Sequence, residues 1–213
     1  ILLDMLSISS IADYTEDKSV SDSKEFLVTV EYAACCMLEL LKNNIINPDG
    51  LRIYLDEKSN SEEVDTAKCL VSARNRFEAL LRNLIFLIRF GSVWGKEIAI
   101  LFITILLYDE YMKPIILASD ISSVLIAAMS EDCEESTRYS AILAMSVLIY
   151  DKTTTRVHLT DKGLLPSLVK ALSSLNTKTR RHAALCIQLL TSQTSLVPHL
   201  VCSGIVSELT TLL

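Results

Sequence analysis

The stretch that decides the fold is TRYSAILAMSVLIY, Thr137 to Tyr150, because it returns 42 residues later as TRRHAALCIQLLTS, Thr179 to Ser192. The same step taken backwards reaches GKEIAILFITILLY, Gly95 to Tyr108. The three copies share Ala99/Ala141/Ala183, Leu101/Leu143/Leu185 and Leu106/Leu148/Leu190, and basic residues recur in register as Lys96/Arg138/Arg180. Self-similarity at this period marks a helical repeat array, in which each unit buries its apolar face by stacking on its neighbours.

Composition points the same way. Of the 213 residues half are hydrophobic, but only 6% are aromatic, with 5 Gly and 4 Pro. Strand-and-turn folds need more turn residues, so long helices with few connections are expected. The net charge of −6 is concentrated in two stretches, Ile11–Glu25 and Tyr54–Thr66, and leaves the helical body close to neutral. Without a concentrated basic surface, nucleic-acid binding is not expected. The longest apolar run, Ile98–Tyr108, is too short to span a bilayer, so no membrane partner is expected either. Cys35, Cys36, Cys69, Cys133, Cys186 and Cys202 form no CxxC pair and read as buried free thiols of a reducing compartment. The expected location is the cytoplasm, with the nucleus left open. The chain starts without Met and stops on SELTTLL in a helical pattern, so a fragment of a larger protein is expected.

The whole chain, 1–213, reads as a single array, with loops or insertions at 7–23 and 44–61. Ile1–Leu6 has the character of a helix tail, and Lys24–Asn43 of a strong helix. Ser59-x-x-Glu62 fits a capping box opening a helix from Glu62 to Phe90, with a break near Ser72. Gly91-Ser92 ends that helix, and Ser92 caps the next, Val93–Tyr108. Two regular units follow: Glu110–Ala118, Ile121–Met129 and Glu134–Tyr150, the last capped by Asp132-x-x-Glu135; then Thr155–Asp161, Leu164–Ser173 and Thr177–Thr191, with Asn176 as cap. Leu196–Cys202 and Ile205–Leu213 begin a further unit. Gly163 and Gly204 fall at the same corner, where a positive φ is expected.

Lys162–Thr191, KGLLPSLVKALSSLNTKTRRHAALCIQLLT, and the start of the next unit, SGIVSELTTLL, resemble the armadillo repeat family. The match is best over residues 110–213, fair over Glu62–Asp109, and weak before that. The short first helix and the glycine after it favour this family over HEAT repeats. The resemblance implies an all-α, right-handed α-solenoid of three-helix repeats, about four to five units here with the terminal ones incomplete. It also implies a concave surface lined by the third helices and a role in protein–protein binding.

In the family's nuclear-import receptors that surface carries Trp and Asn four residues apart on the third helix. The matching positions here are Leu101/Ile105, Leu143/Val147 and Leu185/Leu189, none of them Trp or Asn, and the only tryptophan, Trp94, is read as falling before the helix proper. Binding of a nuclear import signal is therefore not expected. The same helical faces add Glu97 and Tyr108, Tyr139 and Tyr150, Arg181 and Gln188, giving an apolar floor with polar edges. Such a groove suits an amphipathic segment anchored at i, i+4 and i+7. The ladder Lys96/Arg138/Arg180 adds a basic step per repeat that could hold an acidic peptide.

Catalytic chemistry finds no foothold. His158, His182 and His199 are scattered, and there is no HExxH, no glycine-rich phosphate loop and no G-x-S-x-G elbow. No metal, cofactor or small-molecule substrate is expected. The function expected is therefore non-enzymatic: an interaction domain, adaptor or scaffold that holds an amphipathic or acidic segment of a protein partner. Self-association, or packing against further repeats, is the alternative.

Overall fold

The computed structural model describes residues 27–28, 30–38, 66–109, 112–130, 132–151 and 153–211, with 66–74, 76, 151 and 153 described by backbone alone. The expectations for 1–26 and 39–65, including both acidic stretches, the capping box at Ser59 and the helix start at Glu62, lie outside them. The chain divides into two compact units, Ile1–Ser119 and Asp120–Leu213. Among the described residues every regular element is helical.

In the first unit, residues 30–38 are helical, followed by α1 (Thr66–Phe90), α2 (Val93–Leu106) and α3 (Met112–Ala118). Helix α1 runs through Ser72 without the expected break. It stops at Gly91, whose N–H still donates to the Leu87 carbonyl (2.8 Å), and the chain then turns extended at Ser92 (φ −60°, ψ 165°). As expected, Ser92 caps α2, its Oγ accepting from the Gly95 N–H at 3.0 Å. A second cap comes from far away in sequence. The buried Glu31 carboxylate accepts from the Ser92 N–H (2.7 Å) and from Ser92 Oγ (3.0 Å), placing negative charge at the positive end of α2. Gly95 makes room for it, since a Cβ there would run into that carboxylate. Helix α2 ends two residues short of the expected Tyr108. Pro114 is tolerated in the first turn of α3, where an amide has no helical acceptor to lose. Asp109 opens that helix by accepting from the Met112 N–H at 2.9 Å.

The second unit holds α4 (Ile121–Ala128), α5 (Glu135–Asp151), α6 (Thr153–Asp161), α7 (Leu164–Leu172), α8 (Thr177–Thr191), a 3-10 turn at Thr194–Leu196, α9 (Val197–Cys202) and α10 (Ile205–Thr211). Gly163 and Gly204 take φ values of 88° and 85° at their corners, the left-handed region that glycine enters at least cost. Asn176 caps α8 by accepting from the Lys178 N–H (2.9 Å) and the Thr179 N–H (3.5 Å). Helices α5 and α8 pack directly on each other. Ala141 and Ala183 are fully buried, and Cys186 of α8 lies with its sulfur 4.0 Å from the Ile142 carbonyl of α5. Small residues make that approach possible. Ala99 is equally buried in α2, and the column Leu106, Leu148 and Leu190 is core in all three copies. The cysteine expectation is corrected: Cys186 is buried, but Cys36 and Cys202 are exposed and Cys35 and Cys133 half-buried.

Candidate binding face

The shared leucines divide into two columns with different fates. Leu106, Leu148 and Leu190 are sealed, whereas Leu101 and Leu143 are half-buried and Leu185 keeps 40% of its surface exposed. The second column belongs to a stripe that steps by four, four and three residues along one face of each helix. On α2 the stripe is Glu97, Leu101, Ile105 and Tyr108; the first three are half-buried, and Tyr108, in the turn after the helix, is exposed. On α5 it is Tyr139, Leu143, Val147 and Tyr150, again half-buried up to an exposed tyrosine. On α8 it is Arg181, Leu185 and Leu189, with Gln188 alongside; Arg181 and Gln188 are exposed and Leu189 is half-buried. None of these residues is sealed in the core.

Two features of the stripe escaped the sequence pattern. Trp94, three residues before Glu97, lies inside α2 on the same face, 42% exposed, with its ring edge-on to Tyr32 at 5.4 Å between centroids. In the second unit Tyr139 of α5 meets His182 of α8 edge-on at 5.5 Å. The His182 Nδ1 is buried without a hydrogen-bond partner. Burial first, and the Arg181 guanidinium second, hold this imidazole below its usual range.

Polar staples fix the spacing of α5 and α8 at both ends. At the start, Glu135 Oε1 accepts from Ser174 Oγ (3.0 Å) and from Thr179 Oγ1, while its Oε2 pairs with Arg138 at 2.8 Å. The expected capping box of Asp132 and Glu135 is thereby corrected: the Glu135 carboxylate reaches the next repeat instead of turning back. At the other end Arg156 donates to the Ile149 carbonyl (2.8 Å), the Tyr150 carbonyl (3.3 Å) and Ser192 Oγ (2.7 Å).

The basic ladder is also revised. Arg138 donates to the carbonyls of Ser130 (3.3 Å) and Cys133 (3.1 Å), and Arg180 to those of Ser174 (2.7 Å) and Leu175 (3.0 Å). Each guanidinium thus closes the loop that leads into its own helix and satisfies carbonyls left open after the preceding one. For Arg138 and Arg180, a cation near the start of a helix, where the dipole disfavours it, has this structural cause. Reversing both charges is expected to weaken the fold itself. Lys96 is half-buried. On the α8 stripe the exposed cations are instead Lys178 and Arg181, which form no ion pair among the described residues.

Among the described residues no group of three His, Cys, Asp or Glu side chains is placed to hold a metal ion. No single helix among them is long and apolar enough to cross a membrane.

Known structures share this architecture. A computationally designed armadillo repeat protein for modular peptide recognition aligns over 99% of this chain and 91% of its own, with 16% identity and a TM-score of 0.60. A designed armadillo repeat protein in complex with the peptide (KR)4 aligns over 99% and 89%, with 17% identity and a TM-score of 0.59. An engineered protein aligns over 99% and 88%, with 16% identity and a TM-score of 0.63. No family model matches the chain, and no curated protein matches it. Likeness at such low identity is a likeness of fold, and the fold is an all-α solenoid of armadillo-like repeats.

Proposed function

We propose that the chain is a non-enzymatic protein–protein interaction domain that holds a peptide segment of a partner along its third-helix faces. The observation that carries this reading is the split between the two leucine columns. One is core, and the other, with Val147, Leu189 and the tyrosines, is left partly open; within the second unit α5 and α8, which carry part of it, are locked together at both ends. Rigid, half-open apolar sites between polar edges favour binding, because little order has to be imposed when the ligand arrives. The designed armadillo protein made for peptide recognition supports a peptide as the ligand. The proposed role is that of an adaptor or scaffold, in the cytoplasm or the nucleus.

Selection of a displayed random-peptide library on the intact chain tests the proposal. Selected peptides should lose at least ~10-fold in affinity on Leu185→Glu and on Tyr150→Ala, both at exposed sites, with unchanged melting. Peptides indifferent to both substitutions would sink it. Self-association through the Leu143/Leu185 face is favoured by the exposure of Leu185, and would show as a mass that rises with concentration in light scattering.

A further inference from the structure

From Lys162 to Ser207 the chain holds Lys162, Lys170, Lys178, Arg180 and Arg181 and no acidic residue, in a protein whose net charge is −6. The structure separates these cations by what they do. Lys162 Nζ donates to Ser122 Oγ at 2.8 Å, and Arg180 closes the α7–α8 loop. Lys170, at the end of α7, and Lys178 and Arg181, in the first turns of α8, are exposed and without an ion pair among the described residues. Two acids that reach this region are engaged elsewhere: Glu135 with Arg138, Ser174 and Thr179, and Glu208 with Ser173 Oγ at 2.9 Å. The cap of α8 is Asn176, a neutral side chain, and the Glu135 carboxylate that reaches this end through Ser174 and Thr179 is shared with Arg138. These contributions sum to a positive edge beside an apolar strip, since Leu185 and Leu189 follow Arg181 on the same face and Leu175 at the loop tip is 97% exposed.

We infer that the segment held on α8 is an acidic amphipathic peptide, its carboxylates on Lys178 and Arg181 and its apolar side on Leu185 and Leu189. The inference rests on the peptide-binding reading above and gives that peptide a charge. Complementarity argues for it: carboxylates gain charge-assisted hydrogen bonds from free cations at the edge of a partly dehydrated strip, while a basic segment meets like charge. The ligand thus differs from the peptide (KR)4 seen in complex with a designed armadillo protein.

Two displayed peptide libraries decide the matter on the intact chain. Both carry apolar residues at i, i+4 and i+7; one fills the other positions with Asp and Glu, the other with Lys and Arg. Binders should come from the acidic library and weaken at least ~10-fold on Lys178→Glu/Arg181→Glu, and likewise on raising salt from ~0.05 to ~0.5 M. Circular dichroism melting of the double variant should match or exceed the parent, since both side chains are exposed and acids suit the start of a helix. Binders from the basic library, or acidic binders indifferent to the double variant, overturn the charge assignment, and if they still depend on Leu185 the groove itself stands. Failure of both libraries to give any binder that depends on Leu185 removes the groove reading as well. A concentration-dependent mass in light scattering that the double variant abolishes would make a second copy the occupant and overturn the inference.

Discussion

At the scale of single residues, burial decides chemistry more than sequence neighbourhood does. Burial pushes the Cys186 thiol up to about 12, so almost no thiolate forms in the folded protein. Brief alkylation of native protein should therefore label Cys36 and Cys202, which are exposed, and spare Cys186 until denaturant is added; peptide mass spectrometry reads the difference. His182 is held below the ordinary 6.5 by burial and by Arg181, so the fold favours its neutral form. The unfolded chain takes up a proton first as pH falls. Stability that His182 contributes is thus present above pH 6.5 and lost as pH drops through its lowered value. Arg181→Glu should raise the imidazole midpoint in a proton NMR titration, and an unmoved midpoint would count against the charge coupling. The glycines differ in the same local way. Gly163→Ala meets no neighbouring atom and should cost only the left-handed backbone, about 1 kcal/mol. Gly95→Ala drives a methyl into the Glu31 carboxylate and should cost more, about 2 kcal/mol in urea unfolding.

At the scale of elements, the recurring arginines act as loop fasteners. Arg138→Ala and Arg180→Ala should each lower unfolding free energy by about 2 kcal/mol, because charged hydrogen bonds vanish and carbonyls lose their donors. Urea denaturation checks this; a loss confined to binding, with stability intact, would return the arginines to the ladder role. Local signals in the sequence were legible: the caps Ser92 and Asn176, the positive-φ corners, and helix boundaries to within a few residues. Partners distant in sequence were not. Glu31 lies 61 residues from the serine it helps to cap, and the hydroxyls that draw Glu135 away from a capping box lie 39 and 44 residues ahead. A repeat period announces that a cation returns at each step but not which acceptor it meets. The stripe was legible for the same reason that caps were, since its spacing is local. Its exposure was not, because Leu148 and Leu143 recur with equal regularity and only packing distinguishes them.

For the whole molecule, stability in a repeat array is close to a sum of neighbour contacts, so it varies along the chain. Helices α9 and α10 bury only Leu200 and Ile205 between them and leave Val201 and Val206 more than half exposed, whereas α5 buries a full apolar face. Amide hydrogen exchange should therefore run at least ~10-fold faster in α9 and α10 than in α5, and equal protection would contradict additive stacking. The polar staples between α5 and α8 carry a last consequence. Forty-two residues before and after Glu135 stand Val93 and Thr177, and at the same distances from Arg156 stand Pro114 and Pro198. None of the four can repeat the ion-supported joint. A cassette copied from elsewhere in the chain would bring the alanine and leucine columns but neither end of that seam. The repeats are alike in their packing yet not exchangeable, and shuffling them would produce an array that stacks without holding α5 and α8 at a fixed separation.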